Sequence, residues 1–314
     1  MLMNIIIAVL LDFIIGDPYS FPHPVKLMGR MIAFEEKLAR KITKSKQGLK
    51  FAGFIIVMFN MILGFFIPYM LLKSIKQYKI IYTIVNIYLI YTCIAARCLH
   101  YEAMKVSKAL NIGIEEARRR LSYIVGRETE NLHEDEIIRA TVETVAENTS
   151  DGVIAPLFYI MVLGAPGGLA YKFINTMDSM LGYMNEKYID IGFFPAKVDD
   201  IFNYIPARVT GLLMCISSIG RFNLKDGFRI MIRDRKNHKS PNCAYPEGAV
   251  AGLLGIQLGG NNYYHGKLVK KPTIGDKTKS IRNIDIKNTI VIMYSSEILF
   301  LIFYLFINIK SYLN

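Results

Sequence analysis

Much of what would mark a secreted, zinc-binding or P-loop protein is missing from these 314 residues. Only four cysteines occur, Cys93, Cys98, Cys215 and Cys243, and none stands in a CxxC pair. That scatter offers neither a disulfide framework nor a zinc site, and it suits inert thiols in a reducing or lipid setting. The first sixteen residues lack a basic n-region and an A-x-A cleavage site. They are therefore expected to be a retained membrane segment and not a signal peptide. No internal repeat is visible, which argues against a transporter built from two corresponding halves. The chain is basic, at net +12, but has no aromatic-interleaved basic stripe, so nucleic acid is not an expected partner.

What is present is apolar residue, 52% of the chain, gathered in long blocks. A spanning helix needs about 20 such residues, with about 17 as the lower limit. Residues 51–72 carry no charge and form the clearest span, residues 80–96 a second at the short end. Residues 289–309 form a third, with Glu297 inside it, and residues 1–16 a short fourth holding Asp12. Two further stretches are broken. Residues 153–170 contain Pro156, Gly164, Pro166, Gly167 and Gly168, and residues 201–220 contain Pro206 and Arg208. Broken or ionisable backbone at membrane depth is tolerated where it lines a cavity or is buried in protein, so these two either cross or re-enter. The expected fold class is all-α: a polytopic helical membrane protein with about four to six membrane segments and a cytoplasmic helical region. The whole chain, 1–314, is expected to form one integral membrane domain. Within it, 97–152 would be charged cytoplasmic helix and 221–288 a cytoplasmic loop region.

Lysine and arginine orient the chain. The loop after the first segment holds Lys26, Arg30, Lys37, Arg40, Lys41, Lys44, Lys46 and Lys50, whereas the next holds only Lys73, Lys76 and Lys79. The positive-inside rule places the first loop in the cytoplasm. If the two broken stretches re-enter, everything from 97 to 288 faces the cytoplasm as well.

Five polar motifs interrupt the apolar pattern. The first is Gly16-Asp17-Pro18 with Pro22-His23-Pro24-Val25, a stiff loop that can present Asp17 and His23 to a ligand, or simply cap a helix. The second runs from Arg139 through Glu143, Glu147 and Asn148 to Asp151-Gly152. Arg139, Glu143 and Glu147 recur every four residues and share a helix face. A salt-bridge ladder is the plain reading, but these carboxylates run directly into an apolar segment, where they are costly without a cation. The third holds Lys172, Asn175, Thr176 and Asp178; the lysine could meet a phosphate and the aspartate a magnesium ion, or both could line an interfacial turn. In the fourth, Asp199, Asp200 and Asn203 fall within one helical turn, with Arg208 two turns on inside an apolar run. Magnesium takes one or two carboxylates plus phosphate oxygens, so this turn is the strongest metal candidate, and Arg208 would seek a carboxylate or a nucleotide phosphate. The fifth contains Glu247-Gly248-Ala249, Gly252, Gly255, Gly259-Gly260, Tyr264-x-Gly266 and Pro272. Its small residues suit close helix packing, and it lacks the Lys-Ser/Thr ending of a P-loop.

In this order along the chain, with Val125-Gly126-Arg127 between the first two, the motifs resemble the CobD/CbiB family of cobalamin biosynthesis from Asp12 to about Pro272. Glu128 stands where that pattern would have aspartate, and Cys243 follows Pro241-Asn242 where a glycine-like residue is more usual. The resemblance implies an adenosylcobinamide-phosphate synthase activity: ATP-dependent joining of aminopropanol, or its O-phosphate, to a propionate carboxyl of adenosylcobyric acid. It implies ATP and Mg²⁺ as the substrate complex, a corrinoid substrate, membrane lipids and other cobalamin-pathway membrane proteins as partners, and a cell-membrane location. On this reading Asp178, Asp199, Asp200 and Asn203 hold Mg²⁺. Asp17, His23, Arg127, Asn148, Lys172, Asn175 and Arg208 bind substrate or phosphate, and Glu143, Glu147 and Asp151 are the catalytic carboxylates. The competing expectations are a membrane regulator or sensor of the same superfamily and a Mg²⁺-dependent membrane transferase.

Overall fold

Helix after helix follows from the apolar blocks and their caps. The structure is a computed structural model that describes residues 1–18, 22–264 and 267–313. Gly266 of the fifth motif lies outside the described residues. Four helical stretches are long and apolar enough to cross a membrane: Lys46–Ser74, Lys79–Ala109, Glu134–Leu181 and Asn283–Asn308. The chain is thus an all-α, multi-pass membrane protein, with strand limited to two short antiparallel pairs among the described residues. It divides into two compact units, Met1–Ala95 with Ala155–Asn203, and Ala96–Ile154 with Tyr204–Asn314.

In the first unit, α1 (Leu2–Ile15) has 14 residues, about 21 Å at 1.5 Å per residue and short of a ~30 Å hydrocarbon core. Helix α2 (Pro24–Ile42) starts on Pro24, with the His23 side chain accepting from the Val25 N–H as its N-cap, and ends on Arg40 and Lys41. Ser45 caps α3 (Lys46–Ser74), and α4 (Lys79–Tyr91) follows. Helix α8 (Ala155–Leu181) is broken at Gly164, whose φ of 71° is open to glycine at little cost; Pro166 then starts the second half. That break is the physical form of the interrupted stretch at 153–170. Helix α9 (Phe193–Phe202) closes the unit.

The second unit begins with α5 (Ala96–Ala109), α6 (Ile114–Leu121) and α7 (Glu134–Thr149). Val106, Ala109, Ala117, Leu121, Leu132, Ile137 and Ala140 form their shared core. A capping box between His133 and Glu136, with Glu134 and Asp135 in the first turn, sets the start of α7. Directly after α7, Ser150–Ile154 winds as a π-helical turn, a rare distortion common at functional sites. Helix α10 (Tyr204–Ser217) carries Arg208, and α13 (Asn283–Leu313) is the last element, with Glu297 fully buried inside the unit.

The region at 221–288 holds more structure than a loop. It contains α11 (Leu224–Asp234), α12 (Ala244–Leu254), the pair β1 (Leu258–Gly259) with β4 (Thr273–Ile274), and the pair β2 (Asn262–Tyr264) with β3 (Lys267–Val269). The small residues of the fifth motif account for it. A Cβ on Gly252 would sit 2.2 Å from the Asp226 carbonyl oxygen, so only glycine lets α12 lie this close to α11.

Candidate functional site

In the first unit Asp199 is buried, with 8% of the residue exposed. Its Oδ2 accepts from Asn203 Nδ2 at 3.0 Å, and Asn203 Oδ1 accepts in turn from the Tyr171 hydroxyl at 2.7 Å. Tyr159 stacks on Tyr171 with ring centroids 5.2 Å apart. The other oxygen, Oδ1, is buried without a hydrogen bond that meets normal geometry, although the Asn175 side chain is close enough to favour the ionised form. Burial, and next the charge of Asp178, push the Asp199 carboxyl up from 3.8 to about 8. Asp178, Asn175 and Asp199 therefore lie near one another across α8 and α9. Asp200 turns the other way and pairs with the exposed Lys197 at 3.7 Å. Among the described residues no three His, Cys, Asp or Glu side chains are grouped to hold an ion by themselves. An all-oxygen set of two carboxylates with one buried, unsatisfied oxygen nevertheless fits magnesium, which completes its shell with water and phosphate oxygens.

Two other expected residues lie in this unit. Nε2 of His23 is 3.4 Å from Asp17 Oδ1. Because Nδ1 accepts from Val25, the tautomer with the proton on Nε2 suits this contact. Lys172, on α8, is near enough to Cys93 to act on it electrostatically.

The second unit contains a polar cleft of about 160 Å³, lined by Arg127, Glu143, Thr144, Glu147, Asn148, His238, Glu247 and Lys271 with Ile124, Val125 and Gly126. The face of α7 that carries Glu143 and Glu147 forms one wall. Glu143 is fully committed: Oε2 accepts from Arg127 at 2.7 Å, and Oε1 accepts from the Gly259 N–H at 2.8 Å with Arg139 at 3.8 Å. The β1–β4 pair aims that N–H. Gly259 sits at φ 73°, and a Cβ there would meet the Pro272 carbonyl oxygen at 2.6 Å, so the backbone requires glycine. The same pair is fixed to α11 by Asp234, whose carboxylate accepts from the Gly275 N–H at 2.8 Å. Arg233 first, and that N–H as well, hold the Asp234 carboxyl below its usual range.

Glu147 is held more loosely, accepting from the Cys243 thiol at 3.0 Å. Cys243 is one of the two residues that depart from the resembled pattern, and here it is a donor to a cleft carboxylate. Its burial, and the charges of Glu147 and Asp151, push the thiol well up, so it stays protonated. Glu247, on α12, is 4% exposed. Burial and the neighbouring Glu143 and Glu147 push its carboxyl well above the usual range, with Lys271 and Arg127 opposing. Burial also lowers His238, which keeps that ring neutral near pH 7. Asn148 lines the cleft while its amide donates to the Thr144 carbonyl at 2.9 Å.

Arg208 meets no carboxylate among the described residues. Its guanidinium lies 3.5 Å above the Tyr204 ring centroid and 4.3 Å from that of Tyr245, and it donates to Asn242 Oδ1 at 3.3 Å. Its bland partner is thus aromatic. Cation–π stacking satisfies a weakly hydrated guanidinium as a carboxylate would, and leaves part of the fork for an anion.

Sequence reasoning did not single out His238 or Lys271, and took Glu247 only as part of a helix-packing motif. One signal was present for Glu247: it is the single charge in the otherwise apolar and small run from Ala244 to Leu254.

A helical multi-pass membrane protein with a buried acidic cluster in one unit and a mixed-charge cleft in the other is the class these features define. The family model described as "CobD/Cbib protein" matches residues 5–293. "Cobalamin biosynthesis protein CobD" of Clostridium tetani is 57% identical over 305 residues, covering 96% of each chain. Its namesake in Clostridium acetobutylicum is 56% identical over 309 residues, 98% of each chain. The namesake in Klebsiella pneumoniae is 43% identical over 312, covering 98% of this chain and 97% of that one. This chain belongs to the CobD/CbiB family of cobalamin biosynthesis. No solved structure matches it.

Proposed function

We propose that the chain is an ATP-dependent acid–amine ligase of the cell membrane. It joins aminopropanol, or its O-phosphate, to a propionate carboxyl of adenosylcobyric acid, with its active-site face in the cytoplasm. The observation that carries this reading is the mixed-charge cleft, in which carboxylates and cations face one another in a family of cobalamin biosynthesis. An amide does not form from a carboxylate at neutral pH until an acyl oxygen becomes a leaving group. ATP supplies that group: a propionate oxygen takes the γ-phosphoryl, ADP leaves, and an acyl phosphate results. The amine nitrogen then attacks the carbonyl carbon, the C–N bond forms, the C–O bond breaks and phosphate departs. One proton must leave the nitrogen.

Asp199 and Asp178 would hold magnesium on ATP, with Asn203 beside them, while Asp200, paired with Lys197, would add only its charge; the ion would supply neutralisation of phosphate charge. Asn203 would hold Asp199 in place, since its amide already bridges Asp199 and Tyr171. Lys172 and Arg208 would meet phosphate oxygens. Asp17, His23, Asn148 and Asn175 would position substrate. Of the three candidate catalytic carboxylates, Glu143, Glu147 and Asp151, Glu147 is the better proton acceptor. Glu143 already has both oxygens bonded, while Glu147 has one thiol donor. Asp151 and Arg127 would set the charge around them.

The test is conversion of adenosylcobyric acid by purified protein in detergent with Mg²⁺–ATP, offering aminopropanol and its O-phosphate separately, beside Asp199→Asn. Product that requires ATP and disappears in the variant supports the reading. Folded protein that makes no product with either amine overturns it and favours a regulatory membrane protein.

A further inference from the structure

The second unit's cleft gathers three glutamates, Glu143, Glu147 and Glu247, with Arg127 and Lys271 among its lining. Glu143 is neutralised by Arg127, and Glu147 accepts from a neutral thiol. Glu247 is 4% exposed and reaches the cleft from α12. The cleft, at about 160 Å³, is well below the roughly 300 Å³ at which pockets for drug-sized ligands begin. A nucleotide or a corrinoid is too large to be enclosed there; an amine of a few heavy atoms is not.

We propose that this cleft is the seat of a short primary ammonium, held between Glu147 and Glu247, and that its arrival displaces a proton from Glu247 to solvent. The inference rests on the ligase reading for the identity of the amine, not for the existence of the site. The groups facing Glu247 set the sign of the linkage. Glu143 and Glu147 on α7 disfavour its ionisation, Lys271 and Arg127 favour it, and burial outweighs both. His238 is kept neutral by its own burial, and Cys243 is protonated beside Glu147 and Asp151, so neither adds to the positive charge of Lys271 and Arg127. Glu247 therefore carries a proton near pH 7 until a cation enters. An ammonium group between the two glutamates reverses the balance and Glu247 ionises. Proton count and charge both balance: one proton leaves to buffer as one positive charge enters. When the bound ammonium must become a nucleophile, its proton passes to the same carboxylate pair, R–NH₃⁺ and Glu⁻ giving R–NH₂ and Glu–H.

Isothermal titration of the full chain in detergent, without ATP or corrinoid, reads this directly. 1-Amino-2-propanol, its O-phosphate and the amine-free 1,2-propanediol are titrated at pH 7 in buffers of different ionisation enthalpy. The two amines should bind with about one proton released per molecule, and the diol should not bind. Glu247→Gln should weaken amine binding at least tenfold and abolish the proton release, while Glu247→Asp should keep the release. If Glu247→Gln does not fold, Glu147→Gln should show the same weakening. Amine binding with no proton release, or binding unchanged in folded Glu247→Gln and Glu147→Gln, overturns the proposal. Turnover without linked binding would overturn this site and leave the ligase standing. Linked binding without turnover would do the reverse.

Discussion

Asp199 and Glu143 are both carboxylates withdrawn from water on helices beside apolar segments, and their surroundings have opposite sign. Glu143 is met by two guanidinium groups and a backbone N–H. Asp199 is met by amides, with a second carboxylate nearby and one oxygen left over. The first arrangement is complete as it stands and reads as a clamp. The second leaves an oxygen open, and the proposed Mg²⁺–ATP reading would fill it with a cation that arrives with the substrate. Glu247 belongs with Asp199 in this respect: both are acids for which burial outweighs any partner, and both wait for positive charge.

The contrast can be broken most severely at the clamp. Arg127→Ala leaves Glu143 without its nearest cation and should cost about 3–5 kcal/mol of stability, read by chemical or thermal unfolding in detergent. Replacing Arg127 and Glu143 together with apolar residues of similar volume should cost much less. A single variant no worse than the double would show that the pair does not clamp.

The contrast is sharpened at Gly259. Gly259→Ala places a β-carbon against the Pro272 carbonyl at a positive φ. It should cost about 1–3 kcal/mol and loosen Glu143, seen as faster hydrogen exchange at residue 259. Unchanged exchange there would remove the backbone N–H from the clamp.

Asp199→Asn should act in the opposite direction on stability. The folded-state carboxyl is raised, from 3.8 to about 8, so ionisation opposes folding: the penalty is absent below about pH 3.8, grows as pH rises and is complete above about pH 8. The amide escapes it. The variant should therefore melt higher than the native protein by on the order of 1 kcal/mol at pH 8, with little difference near pH 4. Mg²⁺–ATP should raise the melting temperature of the native protein and not of the variant. A variant that melts lower at pH 8 would contradict the account of the acidic cluster.

The smallest effect is expected at Cys243. Serine keeps a donor to Glu147, so Cys243→Ser should change stability and turnover only slightly, within about 1 kcal/mol, whereas Cys243→Ala removes the donor and should be the worse of the two. Equal behaviour of the two variants, in melting and in turnover, would make the thiol contact incidental.

The long apolar blocks were legible as membrane helices because length and absence of charge are local properties. So were the pairing of Asp199 with Asn203, four residues apart on one turn, and the shared face of Glu143 and Glu147. The break at Gly164 was legible as a break but not as a left-handed glycine. The cleft was not visible as a unit, because Arg127, Glu147, His238, Glu247 and Lys271 come from separate elements and only packing brings them together. The tyrosine partners of Arg208 were not legible for a related reason: a guanidinium in an apolar run must find a partner, and nothing local says that two tyrosine rings will serve. Asp200, one residue from Asp199, points elsewhere because adjacent helical positions are about 100° apart.

The most direct test of the central claim follows ¹⁸O from the propionate carboxyl of adenosylcobyric acid during turnover with Mg²⁺–ATP and the amine. The account predicts cobinamide-type amide product, ADP, and one ¹⁸O in the released inorganic phosphate. Label appearing in AMP would replace the acyl phosphate with an acyl adenylate, and product formed with no label transferred to any phosphate would contradict carboxyl activation by ATP altogether.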